Sequence, residues 1–392
     1  MVVVGCLGTD ESVPDGGGPS DGGKVGCGSP AQAHVAPGGY YTSGSTVCTA
    51  AGVPHLFHGV DRPSFEFNPS GDHFSQADFL AMAAWNANVV RIALNQDFWL
   101  STAALYDPDY QGRVDQAVAW AEAAGLDVIL DLHWSDEGDL GVTTYGKAEN
   151  GDDSDQQPMA DENSIAFWTE VATKYEGDGR VLFEMYNEPE DIPWSVWLAG
   201  GPVKSFTAAG MQQIYDAIRG AGADNVVIAG GLHWAYDLSN VATAPIAGYN
   251  VMYATHPYDK SDNSPSTWEA SFGYLATRDI APVIATEFGD FTSSCTGDWD
   301  QQLITFADAH GMSWTAWAWY PTGSPGCDFP SLIVDWNATP TVQGAVVKTA
   351  LLGYPKNPPP TVDAGAGDAS DDAIDEPQND DAGDASEDAA GE

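Results

Sequence analysis

Positive charge is what this chain has least of. Thirteen Lys and Arg stand against 57 Asp and Glu, a formal net charge of −44 over 392 residues. Such a surface repels phosphate backbones and anionic lipid, which excludes nucleic acid as a partner class. No apolar run reaches the eighteen or more residues of a membrane-spanning helix. Cysteine is sparse too, with five in the chain. No Cys-x-x-Cys or Cys/His cluster is present, so no zinc site is expected. With Cys6 set aside, Cys27, Cys48, Cys295 and Cys327 form an even set that suits two disulfides in an oxidising compartment. Of three possible pairings, Cys27–Cys48 and Cys295–Cys327 are favoured, because the last two follow neighbouring strand-like runs.

The ends of the chain differ from its middle. The opening Met1–Cys6, Met-Val-Val-Val-Gly-Cys, has no basic region and too short an apolar run for a full signal peptide. It resembles the last residues of a bacterial lipoprotein signal with Cys6 as the lipidated position; the alternative is a plain N-terminal tail. Residues up to about Gly28 are a Gly, Asp, Ser and Pro leader. Pro358-Pro359-Pro360 then marks a boundary, and from Thr361 the composition is Asp, Ala and Gly, with acids and no base, which reads as disorder. The division is therefore residues 1–28 as signal remnant and leader, 29–356 as one folded body, and 357–392 as an acidic tail.

Inside the body, short apolar runs alternate with helical patterns. The runs are Leu56–Val60, Val89–Leu94, Val128–Leu132, Val181–Met185, Val226–Ala229, Val251–Ala254, Val283–Ala285 and Ser313–Trp319. Helical patterns fall at Ser164–Tyr175, Phe206–Arg219, Trp268–Thr277 and Gln301–His310. This alternation predicts an α/β fold, a single (β/α)8 TIM barrel. A doubly wound open sheet is the runner-up, but no Gly-x-Gly-x-x-Gly follows the first strand.

Nearly every run ends in polar or aromatic residues. Arg91 and Asn95, His133-Trp134, Asn187-Glu188, His233-Trp234, His256 and Tyr258, Glu287, and Trp317 or Trp319 all sit at C-terminal ends. In a barrel these ends share one mouth. Singly, each has an ordinary structural reading: a satisfied histidine, a capping acid. Their repetition over seven strands is what points to a site. Glu188, restrained by Pro189, and Glu287, two before Gly289, are the paired acids that glycosidic cleavage needs. Trp and Tyr rings offer flat apolar faces for sugar rings, and fourteen Trp are present, many of which must be core.

These residues resemble glycoside hydrolase family 5, over about His55–Leu352. Asn187-Glu188-Pro189 after a strand carries the resemblance, with Arg91, His133, the pair His256 and Tyr258, Glu287 in Ala-Thr-Glu-Phe-Gly, and Trp317 following in chain order. Trp319 shares the strand parity of Trp317 and stands as its alternate. The resemblance implies a retaining endo-glycosidase without a cofactor. Glu188 would be general acid, then base, its environment favouring the protonated form. Glu287 would be the nucleophile, bonded by Arg91 and Tyr258, with the two carboxyls about 5–5.5 Å apart. Asn187 would reach the sugar 2-hydroxyl, while His133, Trp134 and His256 shape the cleavage subsite. Glu184 and Asp131 are read as structural, Glu184 pointing into the barrel.

The implied substrate is a β-1,4-linked glucan, with mannan or xylan as runner-up, and the implied state is a monomer. The alternative of another class is a non-catalytic carbohydrate-binding barrel. Metal-dependent hydrolysis lacks a His-x-His after the first strand. The acidic stretch Gly151–Asp155 lacks EF-hand spacing and reads as a solvated loop rather than a calcium site. Glu190 is a third acid beside the pair with no assigned role.

Overall fold

The computed structural model describes residues 26–28, 34–143, 157–259, 263–290, 296–321 and 329–356. A small antiparallel sheet comes first: β1 (Tyr40–Ser43), β2 (Thr46–Thr49) and β3 (Pro54–His55). Four barrel strands follow: β4 (His58–Arg62), β5 (Val89–Asn95), β6 (Asp127–Trp134) and β7 (Val181–Glu184). After a two-stranded hairpin of β8 (Gly201–Val203) and β9 (Phe206–Ala208) come β10 (Val227–Gly230), β11 (Val251–Thr255), β12 (Val283–Ala285) and β13 (Ser313–Ala316). The eight long-range strands pair in parallel, in chain order, and β13 closes onto β4. The expected (β/α)8 barrel is thus the observed fold, each strand within a few residues of its predicted run.

Helices fill most of the gaps. They are α1 (Gln76–Ala84), α2 (Gln96–Trp99), α3 (Tyr110–Ala123), α4 (Ser164–Tyr175), α5 (Trp194–Ala199), α6 (Met211–Gly220), α7 (Pro265–Trp268), α8 (Tyr274–Thr277), α9 (Asp298–His310) and α10 (Val342–Gly353). One π turn, Glu269–Gly273, joins α7 to α8, so the predicted helix at Trp268–Thr277 is present with one wide turn. The prediction of a helix over Phe206–Arg219 is corrected at its start. Phe206–Ala208 pairs with Gly201–Val203 as a hairpin, and the helix begins only at Met211. Gly210 sets that boundary: a Cβ there would lie 2.2 Å from the Gly200 nitrogen. The Gly210 N–H is instead capped by Gln213 Oε1 at 2.9 Å.

Strand alternation divides the core in two. Outward residues such as Val90, Ile92, Leu130, Phe183, Val227, Val283 and Trp314 pack under the helices. Inward residues Val89, Ile129, Leu182, Ile228, Met252, Ala254 and Ile284 form the lower barrel core, closed by Tyr40, Val47 and Phe57 around the N-terminal sheet. Two residues further along the same faces the interior turns polar, and this is where the site begins. At least six Trp (Trp99, Trp168, Trp197, Trp268, Trp314, Trp319) are fully buried, so much of the high Trp count is structural.

Candidate active site

The alternation that points Val89 inward also points Arg91 inward, one layer higher. The same step takes Ile129 to Asp131 and His133, Leu182 to Glu184, Ala254 to His256 and Ile284 to Thr286. Arg91 is wholly buried and is the hub of this layer. Its Nε bonds Glu184 Oε2, its Nη1 donates to Glu287 Oε1 at 2.7 Å, and its Nη2 donates to Asn187 Oδ1 at 2.7 Å. Asp131 Oδ2 lies 3.0 Å from the same Nη2, and Asp61 Oδ1 lies 4.0 Å from Nη1.

One guanidinium therefore faces four acids. Burial alone would pull Arg91 down, but Asp131, Glu184, Glu287 and Asp61 outweigh it and hold the group charged. Burial pushes Asp131 and Glu184 up to about 7 in spite of Arg91. It holds Asp61 well above the usual carboxylate range. Burial thus opposes ionisation of Asp61, Asp131 and Glu184, and the Arg91 cation opposes their protonation.

The mouth groups stand on this layer. Glu287 accepts from Arg91 through Oε1 and from the Tyr258 hydroxyl through Oε2, at 2.7 Å each. Glu188, just past β7, places Oε1 2.8 Å from His256 Nδ1. The His256 Nε2 lies 3.0 Å from Thr286 Oγ1, whose hydroxyl donates to Glu184 Oε1 at 2.7 Å. Burial lowers His256 to about 4 and His133 to about 4, so both imidazoles are neutral at pH 7. His133 Nδ1 bonds Asp131 at 2.7 Å, and its Nε2 faces Asn187 Nδ2 at 3.4 Å. Asn187 is therefore held at both ends of its amide.

Glu188, His256 and Glu287 each place one potential ligand atom within 4.8 Å of the others. Hydrogen bonds to Arg91, Tyr258 and between His256 and Glu188 account for that clustering. A separate cavity of about 590 Å³ lies at the opposite end of the barrel, lined by residues such as His55, His58 and Tyr354. It holds none of the mouth residues.

Most predicted site residues come together. Trp317 stacks on His133 at 5.6 Å with its plane 14° away. Trp134 is half-buried beside His133 and begins a strip of half-exposed rings through Phe67, Tyr320 and Trp336, spaced 5.5–6.5 Å apart. Trp319 is a correction. It is fully buried, its Nε1 donating to Asp78 at 3.0 Å and its ring edge-on to Trp85, so it offers no face to a ligand. Strand β13 ends at Ala316, and parity counted beyond that residue does not apply.

Cys27 and Cys48 form the expected disulfide. Cys6, Cys295 and Cys327 lie outside the described residues, as do Gly151–Asp155 and the acidic tail. Glu190 is half-buried, and its N–H bonds the Pro158 carbonyl at 2.9 Å.

Sequence reading undervalued three residues. Asp131 and Glu184 anchor Arg91, and Asp131 also orients His133. Thr286 links Glu184 to His256, and its position two after Ile284 was the available signal. Trp234, on the loop after β10, is the most exposed Trp, and its N–H bonds the Pro189 carbonyl at 3.1 Å.

Residues 51–323 match the family described as Cellulase (glycosyl hydrolase family 5). The chain belongs to glycosyl hydrolase family 5. This family 5 chain is 26% identical to Cellulase CelDZ1 of a Thermoanaerobacterium species over 300 residues, 70% of each chain. It is 25% identical to Endoglucanase E-5 of Thermobifida fusca over 315 residues, 76% of this chain and 59% of that protein. It spans 34% of the length of Endoglucanase C of Evansella cellulosilytica. Among solved structures, the beta-glucanase SdGluc5_26A from Saccharophagus degradans superposes with a TM-score of 0.64 at 25% identity, covering 80% of this chain and 93% of that one. As a family 5 member the chain is a glycoside hydrolase. No helix among its described residues is long and apolar enough to cross a membrane.

Proposed function

We propose that this enzyme is a retaining endo-β-1,4-glucanase in which Glu188 and Glu287 carry the chemistry. The carrying observation is their approach: a carboxylate oxygen of each lies within 4.8 Å of the other. Carboxyls about 5–5.5 Å apart suit double displacement, whereas inverting enzymes hold them about 6.5–9.5 Å apart to admit water. Glu287, doubly hydrogen-bonded, attacks the anomeric carbon as the glycosidic C–O bond breaks. The proton of Glu188 goes to the leaving oxygen. Water then attacks the glycosyl ester, Glu188 takes its proton, and Glu287 is released. Asn187, fixed by Arg91 and His133, has an amide N–H available for the 2-hydroxyl.

A glucan substrate is supported by the similarity to a cellulase and an endoglucanase and by the beta-glucanase SdGluc5_26A, solved with cellotetraose. The ring strip from Trp134 to Trp336 supports a chain-like ligand. The Cys27–Cys48 disulfide supports an oxidising, exported location. Lipid attachment at Cys6 remains a proposal resting on the sequence.

The test is a panel of carboxymethyl-cellulose, mannan and xylan with NMR of the first-formed anomer. Rapid viscosity loss on the cellulose and a β-anomer product are expected, and both are lost in Glu188→Gln and Glu287→Gln. Preferential cleavage of mannan or xylan overturns the glucan assignment. Activity surviving both substitutions overturns the mechanism.

A further inference from the structure

The proton that Glu188 must deliver is located by a chain of three hydrogen bonds. Thr286 has a single hydroxyl proton, and it is given to Glu184 Oε1 at 2.7 Å. Arg91 Nε bonds the other oxygen and favours the carboxylate, and ionised Glu184 is an acceptor at both oxygens. Thr286 Oγ1 can then only accept from the His256 Nε2 lying 3.0 Å away. A neutral imidazole with its proton on Nε2 has a bare Nδ1. Facing that Nδ1 at 2.8 Å is Glu188 Oε1, and two acceptors at this distance need a proton between them. That proton belongs to Glu188.

Resting on the reading of Glu188 as acid, we infer that Thr286 is a positioning residue that sets the His256 tautomer and so keeps the catalytic proton on Glu188. Burial is the main reason His256 stays neutral, and Arg91 on β5 adds to it; Glu287 and Glu184 favour an imidazolium but do not outweigh them. Glu287, whose Oε2 lies 3.8 Å from Nδ1, is occupied by Arg91 and Tyr258. Glu184 lies 4.0 Å from Nε2, too far to replace the hydroxyl by a direct bond.

Without the Thr286 oxygen, the other tautomer becomes available. Its Nδ1–H donates to Glu188 and favours the carboxylate, so the acid is lost at lower pH. The experiment compares Thr286→Val and Thr286→Ser in the pH dependence of kcat/KM on an aryl cellobioside with a poor leaving group. The valine variant is expected to move the alkaline limb down by about one pH unit, which is the tenfold effect of about one hydrogen bond. Serine restores it, and a dinitrophenyl leaving group, which needs little protonation, removes the difference at saturating alkaline pH.

An unshifted limb in Thr286→Val, with the limb abolished in Glu188→Gln, overturns the role of Thr286 alone. A limb that persists in Glu188→Gln overturns the acid assignment together with it. ¹⁵N-histidine NMR of the unmodified enzyme gives an independent reading. The chain has eight histidines, so His256→Asn identifies the signal. A protonated Nε2 and bare Nδ1 on His256 are expected, and the reverse tautomer overturns the inference whether or not the valine variant folds.

Discussion

Replacing Arg91 by Met tests the buried hub directly. The guanidinium is wholly buried and makes contacts of 3.0 Å or less to Glu184, Glu287, Asn187 and Asp131. Met fills the stem volume but leaves those acids without their cation. Breaking a buried charge network by removing one partner costs about 3–5 kcal/mol. A domain stable by about 5–15 kcal/mol survives that loss but is visibly weakened. At roughly 2 °C per kcal/mol for a body of this size, the expected drop in Tm is about 6–10 °C near pH 8. The pH dependence follows from sign. Asp131 and Glu184 already sit at about 7, above the unfolded value of about 4. Removing Arg91 raises them further. Groups raised on folding stabilise below their unfolded pKa and lose that contribution as pH rises through the folded one. The penalty of Arg91→Met is therefore largest at pH 8 and shrinks toward pH 5. Calorimetry at both values measures it, and kcat/KM falls by about 10²–10³-fold, as when a preorganised charge contact is removed. An unchanged Tm at pH 8, or a larger loss at pH 5, refutes the reasoning.

Three further outcomes are expected. Asp97, Asp136 and Asp161 are pushed up to about 7, by burial first and then by the mutual repulsion of the cluster. By the same sign rule their contribution falls from the unfolded value of about 4 up through 7, so Asp97→Asn raises Tm by about 2–4 °C at pH 8 and by about a third of that at pH 5. Trp317→Ala raises KM on polysaccharide by about tenfold with little change in Tm, whereas Trp319→Ala lowers stability by about 3–5 kcal/mol in denaturant titration and leaves the KM of the folded enzyme unchanged. Cys48→Ser opens the Cys27–Cys48 link, a sequence separation of 21 residues, and costs about 3 kcal/mol on the chain-entropy account; a melt that dithiothreitol does not alter refutes it.

The barrel was legible because most of its strands carry apolar residues on both faces. Runs such as Val89–Leu94 and Val128–Leu132 are buried by helices outside and by other strands inside, so they stand out without regard to partners. The Phe206–Ala208 segment was not legible for the opposite reason. It is three residues long, and its strand character comes from pairing with Gly201–Val203 across a turn. Local propensity carries no record of such a partner. The N-terminal sheet was missed in the same way, because Tyr40–Ser43 gains its role only by pairing with Thr46–Thr49 beneath the barrel.

In the site the limit is of another kind. Glu188 and Glu287 could be found because each ends an apolar run in a residue that burial alone would not select. Trp319 misled because parity was extended past Ala316, where the ladder to β4 stops. Arg91 could be placed, but its four acids could not be apportioned, since Asp131 and Glu184 sit in their strands as ordinary buried exceptions. Their purpose emerges when β5, β6 and β7 align, bringing residues 93 positions apart into a single ion pair. Thr286 is the extreme case, a small residue between an apolar strand and a prominent Glu. Its hydroxyl matters through Glu184, 102 residues earlier, and His256, 30 residues earlier. A sequence displays the groups that perform the chemistry at strand ends, but the groups that decide where their protons rest become visible only once the strands are side by side.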